Sequence, residues 1–248
     1  MSQTAMPPSD LCVLAGPHTH ARVAELLGAY PGRGRVLDCP AGAGALSLRL
    51  QQAGFAVEAA DINPTAFAAP GIHCEFADME EPLPYPDGAF SWVVSVEGVE
   101  HLEAPGRFLR EARRILEPGG RLLVTTPNTL NLPSRLRCFL TGFPSLMRPP
   151  AEPKPEPAHD HVTPLPYPQL RGLLRRAGFE VERATTDRAR RGAYALAGLY
   201  PLLWLCTRRL LAGVARKHPG PDYRAIGDHL LSWDLLLGRT LIVIARRP

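Results

Sequence analysis

A chain of 248 residues with 45% hydrophobic content is long enough for one α/β domain with an insertion and too short for two full domains. Its formal charge of +4 is mild, and its basic residues, nearly all arginine, are spread along the chain, which argues against a nucleic-acid surface. Five cysteines (Cys12, Cys39, Cys74, Cys138 and Cys206) lack CxxC spacing, so neither a disulfide framework nor a zinc knuckle is expected, and a reducing cytoplasm is the default.

Residues 1–10 have no basic or apolar signal region, and residues 1–17 are expected to form a flexible tail ahead of a single domain over 18–248. Residues 18–30 carry Val23, Leu26 and Leu27 at near-helical spacing and stop before Pro31-Gly32, which predicts a helix leading into a first strand at 35–38. Residues 45–53 predict a second helix that stops at Gly54, and 55–60 a second strand, completing a βαβ unit. A weaker strand at 72–77 ends at Asp78, and the β-branched run at 90–96 suits a strand buried on both faces. A helix at 104–116, a turn at Pro118-Gly119-Gly120 and a fifth strand at 121–126 follow. This alternation predicts an α/β fold with a parallel, doubly wound sheet and right-handed crossovers.

Beyond Pro127 the texture changes. Residues 128–168 gather prolines, above all at 148–157, and predict a long exposed loop. A helix at 167–177, a sixth strand at 179–185 and a last strand at 240–245 close the sheet. Between those strands, 188–239 is an apolar helical insertion that includes YALAGLYPLLWLCTRRLL and DHLLSWDLLL. Three readings stand for it. It is a bilayer span interrupted by Pro201 and ended by Arg208 and Arg209, a set of amphipathic helices packed on one another, or a helix resting on lipid headgroups through Arg208, Arg209, Arg216 and Lys217 with Trp204 inward. The insertion and the proline-rich loop are together expected to form an apolar lid.

The stretch RVLDCPAGAG at 35–44, followed by AADINP at 59–64, is strand, glycine turn, helix, strand and strand-end acid. An open α/β sheet builds a nucleoside site in this way. Gly42 and Gly44 let the backbone approach a ligand, and the Asp61 carboxylate can accept hydrogen bonds from both hydroxyls of a ribose. Asp38 and Asp61 also suit simple helix caps.

From Val36 to Val181, and again in the last strand, the chain resembles the class I S-adenosylmethionine-dependent methyltransferases, and within them the ubiquinone-pathway O-methyltransferases. The resemblance rests on VLDCPAGAG, the acid of AADINP, FADMEEPLPYPDGAFSWVVSVEGVEHL, RILEPGGRLLVTTPN and HVTPLPYPQLRGLLRRAGFEV in that order. It implies a mostly parallel, seven-stranded Rossmann-like sheet whose last strand runs antiparallel beside the sixth, and S-adenosylmethionine as cofactor; PAGAG itself lacks the GxGxxG that cradles a dinucleotide pyrophosphate. On this reading Asp38 faces the donor's amino group and Pro40, Ala41, Gly42 and Gly44 form the turn. Asp61 and Ile62 take the ribose end, Asp78 accepts from the adenine amino group, Met79 packs on the ring and Val96 closes the site from the fourth strand. Asp78 shares its neighbourhood with Glu80 and Glu81, which suit a solvated turn equally well. Pro40 departs from the family pattern, occupying the place of its first glycine.

Glu97-Gly98-Val99-Glu100-His101 follows the fourth strand, where the resemblance puts the transferred methyl. Methyl transfer is an in-line displacement, and a hydroxyl acceptor must lose its proton, so His101 is the candidate base with Glu97 beside it. ExxEH with a downstream histidine is also similar to the metal set of certain RNA and ubiquinone methyltransferases. Mapped here, Glu97, Glu100, His101 and His161 would hold Mg2+ or another divalent ion. The same residues equally suit a purely structural helix cap. The expected activity is O-methylation of a small or lipid-linked hydrophobic acceptor, with no nucleic-acid partner, in the cytoplasm or peripheral to the inner face of the membrane. A glycan or carbon methyltransferase and a non-catalytic S-adenosylmethionine-binding regulator are the alternatives.

Overall fold

The structure is a computed structural model that describes residues 18–145, 163 and 165–248. Its strands are β1 (Arg35–Asp38), β2 (Ala56–Asp61), β3 (Cys74–Phe76), β4 (Phe90–Val96), β5 (Leu116–Pro127), β6 (Glu180–Thr185) and β7 (Thr240–Arg246). They form one seven-stranded sheet in the order β3-β2-β1-β4-β5-β7-β6. β7 alone is antiparallel to its neighbours, with Val124 opposite Val243 and Thr185 opposite Ile242.

The period-two alternation of side chains divides the core into two layers. Leu37, Val93, Leu122 and Val243 face one side. There they pack on Phe108, Leu109 and Ile115 of helix α3 (Pro105–Ile115) and on Leu170 and Leu174 of helix α5 (Tyr167–Arg176). Val36, Val94, Leu123 and Ile242 face the other, against helix α1 (Thr19–Gly28) and helix α2 (Ala45–Gln52). Burial on both faces is why the central strands are almost continuously apolar. Pro118-Gly119-Gly120 proves to lie inside β5, whose start pairs with β4 across a register shift and bends at Gly119 with φ 81°.

The expectation of an unbroken loop over 128–168 is corrected by helix α4 (Leu132–Thr141). Asn131 caps it by accepting from the Ser134 amide at 3.0 Å, Pro133 fits its first turn where no amide donor is needed, and Gly142 ends it with φ 77°. The proline run at 148–157 and the tail at 1–17 lie outside the described residues.

The insertion consists of a 3₁₀ stretch (Arg191–Leu199) and helices α6 (Tyr200–Lys217), α7 (Tyr223–Leu230) and α8 (Trp233–Leu237). Leu132 of α4 shares a small core with Ala193, Leu236 and Leu237, so α4 and the insertion form one apolar body. Asn128 ties it to the end of β5 by donating to the carbonyls of Leu235 and Gly238 at 2.8 and 3.0 Å. α6 fully buries none of its 18 residues, yet Tyr200 and Leu203 pack against this small core and Arg208 pairs with Asp228 of α7, so the helices of the insertion pack on one another while leaving one face open. Among the described residues no helix is long and apolar enough to cross a membrane. Leu202, Trp204, Leu205 and Leu210 of α6 and Phe139 and Leu140 of α4 remain exposed, Phe139 at 86%.

Candidate functional site

The carboxyl ends of β1, β2 and β3 come together beside the glycine turn, because parallel strands deliver their C-terminal residues to one edge. Asp61 ends β2, and its two carboxylate oxygens accept from the Gly42 amide at 2.8 Å and the Asn63 amide at 2.9 Å. Each oxygen has a second lone-pair site, so the carboxylate is fixed in place while still able to accept from a diol. The Ala41 amide donates to the Ala60 carbonyl at 3.0 Å, which locks the turn to β2. Gly42 and Gly44 have φ of 53° and 88°, conformations that side chains resist. A Cβ on Gly42 would meet nothing within 4 Å, so space opens above the turn, whereas one on Gly44 would lie 2.6 Å from the Ala69 Cβ.

Asp38 is 1% exposed, and its Oδ2 accepts from the Ser47 hydroxyl at 2.6 Å. Burial pushes its carboxyl up to about 7, with Asp61 adding to the rise and Ser47 opposing it. Ile62 stands 63% exposed next to Asp61, an apolar side chain facing solvent at the rim of the turn. Asp78 is half-buried just past β3 and accepts from the Glu80 amide at 2.8 Å, while the Ala77 amide donates to the Asp61 carbonyl at 3.0 Å. The Met79 and Val96 side chains are buried, Met79 in one core layer and Val96 in the other.

Pro40 finds its physical counterpart across the sheet. The Cys39–Pro40 peptide is cis, and the proline ring lies against Gly98, where an added Cβ would overlap it. A proline in the β1 turn is thus matched by a missing side chain in the β4 turn. Sequence reasoning passed over Gly98, although its place inside EGVEH was a usable signal. Gly98→Ala is expected to destabilise the protein by about 1–3 kcal/mol through overpacking, measured as a lower urea midpoint at unchanged slope. An unchanged midpoint would mean that the two turns are not in contact.

At the end of β4, Glu97 adopts φ 50°, unusual for a residue with a side chain. Its amide donates to the Thr125 hydroxyl at 3.0 Å. Burial raises its carboxyl, with Asp187 adding to the rise and the guanidiniums of Arg239 and Arg188 opposing it. Glu100 and His101 lie in a 3₁₀ turn (Val99–His101). Glu100 is 1% exposed, and neither carboxylate oxygen reaches hydrogen-bonding geometry with a partner. Burial pushes it up to about 8, with Glu97 adding to the rise. Its own amide and the Thr126 hydroxyl stand near enough to offset part of the cost. The Thr163 amide donates to the Glu100 carbonyl at 2.9 Å and its hydroxyl to the Leu102 carbonyl at 2.7 Å, so Thr163 is tied to this turn.

The expected metal set is not assembled. Among the described residues no group of three or more His, Cys, Asp and Glu side chains could hold an ion, and His161 lies outside those residues. Glu100 is 1% exposed, and this burial keeps its carboxyl from an open coordination position. The described residues do not fit a divalent ion.

Two clefts border α4 and the start of the insertion. One, of ≈ 730 Å³, is lined by His18, Arg188, Arg190, Arg191 and Arg239. The other, of ≈ 420 Å³, runs between α4 and the 3₁₀ stretch, lined by Leu136, Leu140, Ala195 and Leu196. Pro133 and Gly192 line both, so the clefts adjoin. Sequence reasoning missed the arginines because Arg188 and Arg239 are brought side by side only by the pairing of the Arg239 amide with the Arg188 carbonyl at 3.0 Å.

With this geometry in hand, comparison with known proteins is informative. The family described as a methyltransferase domain matches residues 17–184, well over half of the chain. A ubiquinone biosynthesis O-methyltransferase of Caulobacter sp. (strain K31) is 36% identical over 103 residues, which cover 38% of this chain and 41% of that protein. A demethylmenaquinone methyltransferase of Tropheryma whipplei (strain Twist) is 32% identical over 120 residues, 46% of this chain and 50% of that protein. The chain thus spans at most half the length of these curated relatives. In fold it is similar to an S-adenosylmethionine-dependent methyltransferase from Archaeoglobus fulgidus, with a TM-score of 0.58, 18% identity and 92% of each chain covered.

Proposed function

The chain belongs to the methyltransferase-domain family, whose members of this fold draw on S-adenosylmethionine, and from that premise we propose that it methylates an oxygen of a small or lipid-linked hydrophobic acceptor. The observation that carries the donor half is the Asp61 carboxylate, held by the Gly42 and Asn63 amides with open space above Gly42. Around it, Asp61 takes the ribose hydroxyls, Ile62 covers the adenine side and Asp78 receives its amino group. Asp38 faces the methionine ammonium. The donor supplies an electrophilic methyl, and the protein's part is to align the acceptor and take its proton, the role assigned to His101 beside Glu97.

The burial of Asp38 has a measurable consequence. Its carboxyl, raised to about 7, is neutral below that pH and cannot pair with an ammonium; above it, it is ionised and can. Donor affinity is expected to fall by about tenfold per unit below pH 7 and to level off above it. Calorimetric titration across pH 5.5–8.5 (roughly three units around the group's titration) checks this. Asp38→Asn should bind weakly and without that slope, and a wild-type affinity independent of pH would remove Asp38 from the site.

The acceptor half rests on the apolar body formed by α4 and the insertion, and on the quinone-pathway names of the two relatives. Exposed Phe139, Leu140, Leu202 and Trp204 support contact with a membrane surface, where flotation with anionic vesicles would carry the protein upward. The test of the function is incubation of the protein with methyl-labelled donor and cell extract, followed by separation into lipid, glycan, RNA, protein and small-molecule fractions. Label in a lipid or apolar small-molecule fraction supports the proposal. Label in glycan replaces it, and donor binding with no labelled fraction points to a regulator.

A further inference from the structure

We infer that the arginine cleft and the apolar groove together form the acceptor site for an anionic amphiphile, a phosphate-bearing headgroup carried on an alkyl or prenyl chain. The inference rests on the methyltransferase reading and names the substrate class of that same site.

Arg188, Arg190, Arg191 and Arg239 face one cleft, and among the described residues none is in an ion pair with a carboxylate. The Arg190 Nη1 is buried with no hydrogen-bond partner, a cationic donor left unsatisfied. Asp187, the nearby acid, is already engaged by neutral groups. Its Oδ2 accepts from the Thr19 hydroxyl at 3.0 Å and its Oδ1 from the amides of Arg188 and Thr240 at 2.8 and 3.3 Å. Four like charges around one concavity repel one another, and an anion relieves that repulsion while satisfying the guanidinium donors. Guanidinium suits phosphate because its fork of donors matches the oxygens in pairs.

Placement makes the cleft more than a surface patch. The Arg239 carbonyl accepts from the Asn128 amide just past β5 at 3.0 Å, β5 pairs with the end of β4 through Thr125 and Val96, and Arg239 and Arg188 act electrostatically on Glu97, so an anion held there lies near the end of β4, where the acceptor must meet the donor. The adjoining groove offers Leu136, Leu140, Ala195 and Leu196 with few polar atoms, and Arg137 is the one charged residue on its lining. A free anion would leave this groove to water, and an uncharged lipid would leave the arginines unsatisfied. One molecule with both parts satisfies both.

The test is calorimetric titration of the full chain with decyl phosphate, inorganic phosphate, decyl maltoside and a short oligoribonucleotide, each below any micelle threshold. Decyl phosphate is expected to bind at least about tenfold more tightly than inorganic phosphate or decyl maltoside, since each of these has only half of the recognised chemistry. The double substitution Arg190→Gln, Arg239→Gln should cost decyl phosphate about tenfold or more. If that protein fails to fold, Arg191→Gln, at an exposed position, should still weaken binding, and Leu140→Asp should weaken decyl phosphate without affecting inorganic phosphate. Equal affinity for inorganic phosphate would reduce the cleft to a free-anion site, equal affinity for decyl maltoside would leave only the groove, and tighter binding of the oligoribonucleotide would make the ligand a nucleic acid. Each outcome overturns the proposal. S-adenosylmethionine is titrated into the same samples. Its failure to bind would sink the methyltransferase reading whatever decyl phosphate does, and its unchanged binding in the arginine variants separates the two sites.

Discussion

Asp61→Ala is expected to raise the dissociation constant for S-adenosylmethionine by at least about a hundredfold, from the loss of two hydrogen bonds to a charged acceptor at about 1.5–3 kcal/mol each. The substitution also frees the Gly42 and Asn63 amides that the carboxylate now holds at 2.8 and 2.9 Å, so the turn loses its anchor along with its ligand contact. Asp61→Asn should be nearly as damaging. Its amide nitrogen must point at one of two backbone N–H groups, setting donor against donor at a position that accepts on both sides. Calorimetry with S-adenosylmethionine and its demethylated product checks both variants. Binding by Asp61→Ala within about threefold of wild type would mean that the nucleoside lies elsewhere.

The second large effect concerns proton removal. His101→Ala is expected to lower kcat by about 10²–10⁴ while leaving donor affinity unchanged, because the side chain acts on the acceptor's hydroxyl and not on the sulfonium. The acidic limb of the kcat/KM profile should disappear in the variant, since no imidazole remains to lose its proton. His101→Gln, which keeps a polar side chain without a base of suitable strength, should be equally slow. A purely positioning role predicts substantial recovery in the glutamine variant. Unimpaired turnover in His101→Ala at every pH would exclude His101 as the base.

The strands and the glycine turn were legible in the sequence because their physics is local. β4 and β7 are runs in which nearly every residue is buried, and the glycine turn needs two positive φ values that only Gly42 and Gly44 accept readily. α4 was also legible, through Asn131 ahead of Leu132-Pro133-Ser134, but the proline-rich texture beyond it drew the whole span into one loop. The Pro40–Gly98 contact, the hydrogen bond from Ser47 to Asp38 and the arginine cleft were not legible. Each is made by residues far apart in the chain that meet only when parallel strands bring their ends to one edge. Glu97, Glu100 and His101 show the converse. Their spacing suggested a shared ligand set, while the 3₁₀ turn carries the Glu100 carboxyl inward, away from the surface.

The proline ring seated on Gly98 joins the glycine turn to the turn that carries Glu97 and His101. If these are the donor and acceptor ends of the proposed site, a shift in one turn moves the other. The kinetic signature is interdependence. A substitution at residue 98 should change the Michaelis constants for donor and acceptor together, and saturating one substrate should alter the apparent affinity for the other.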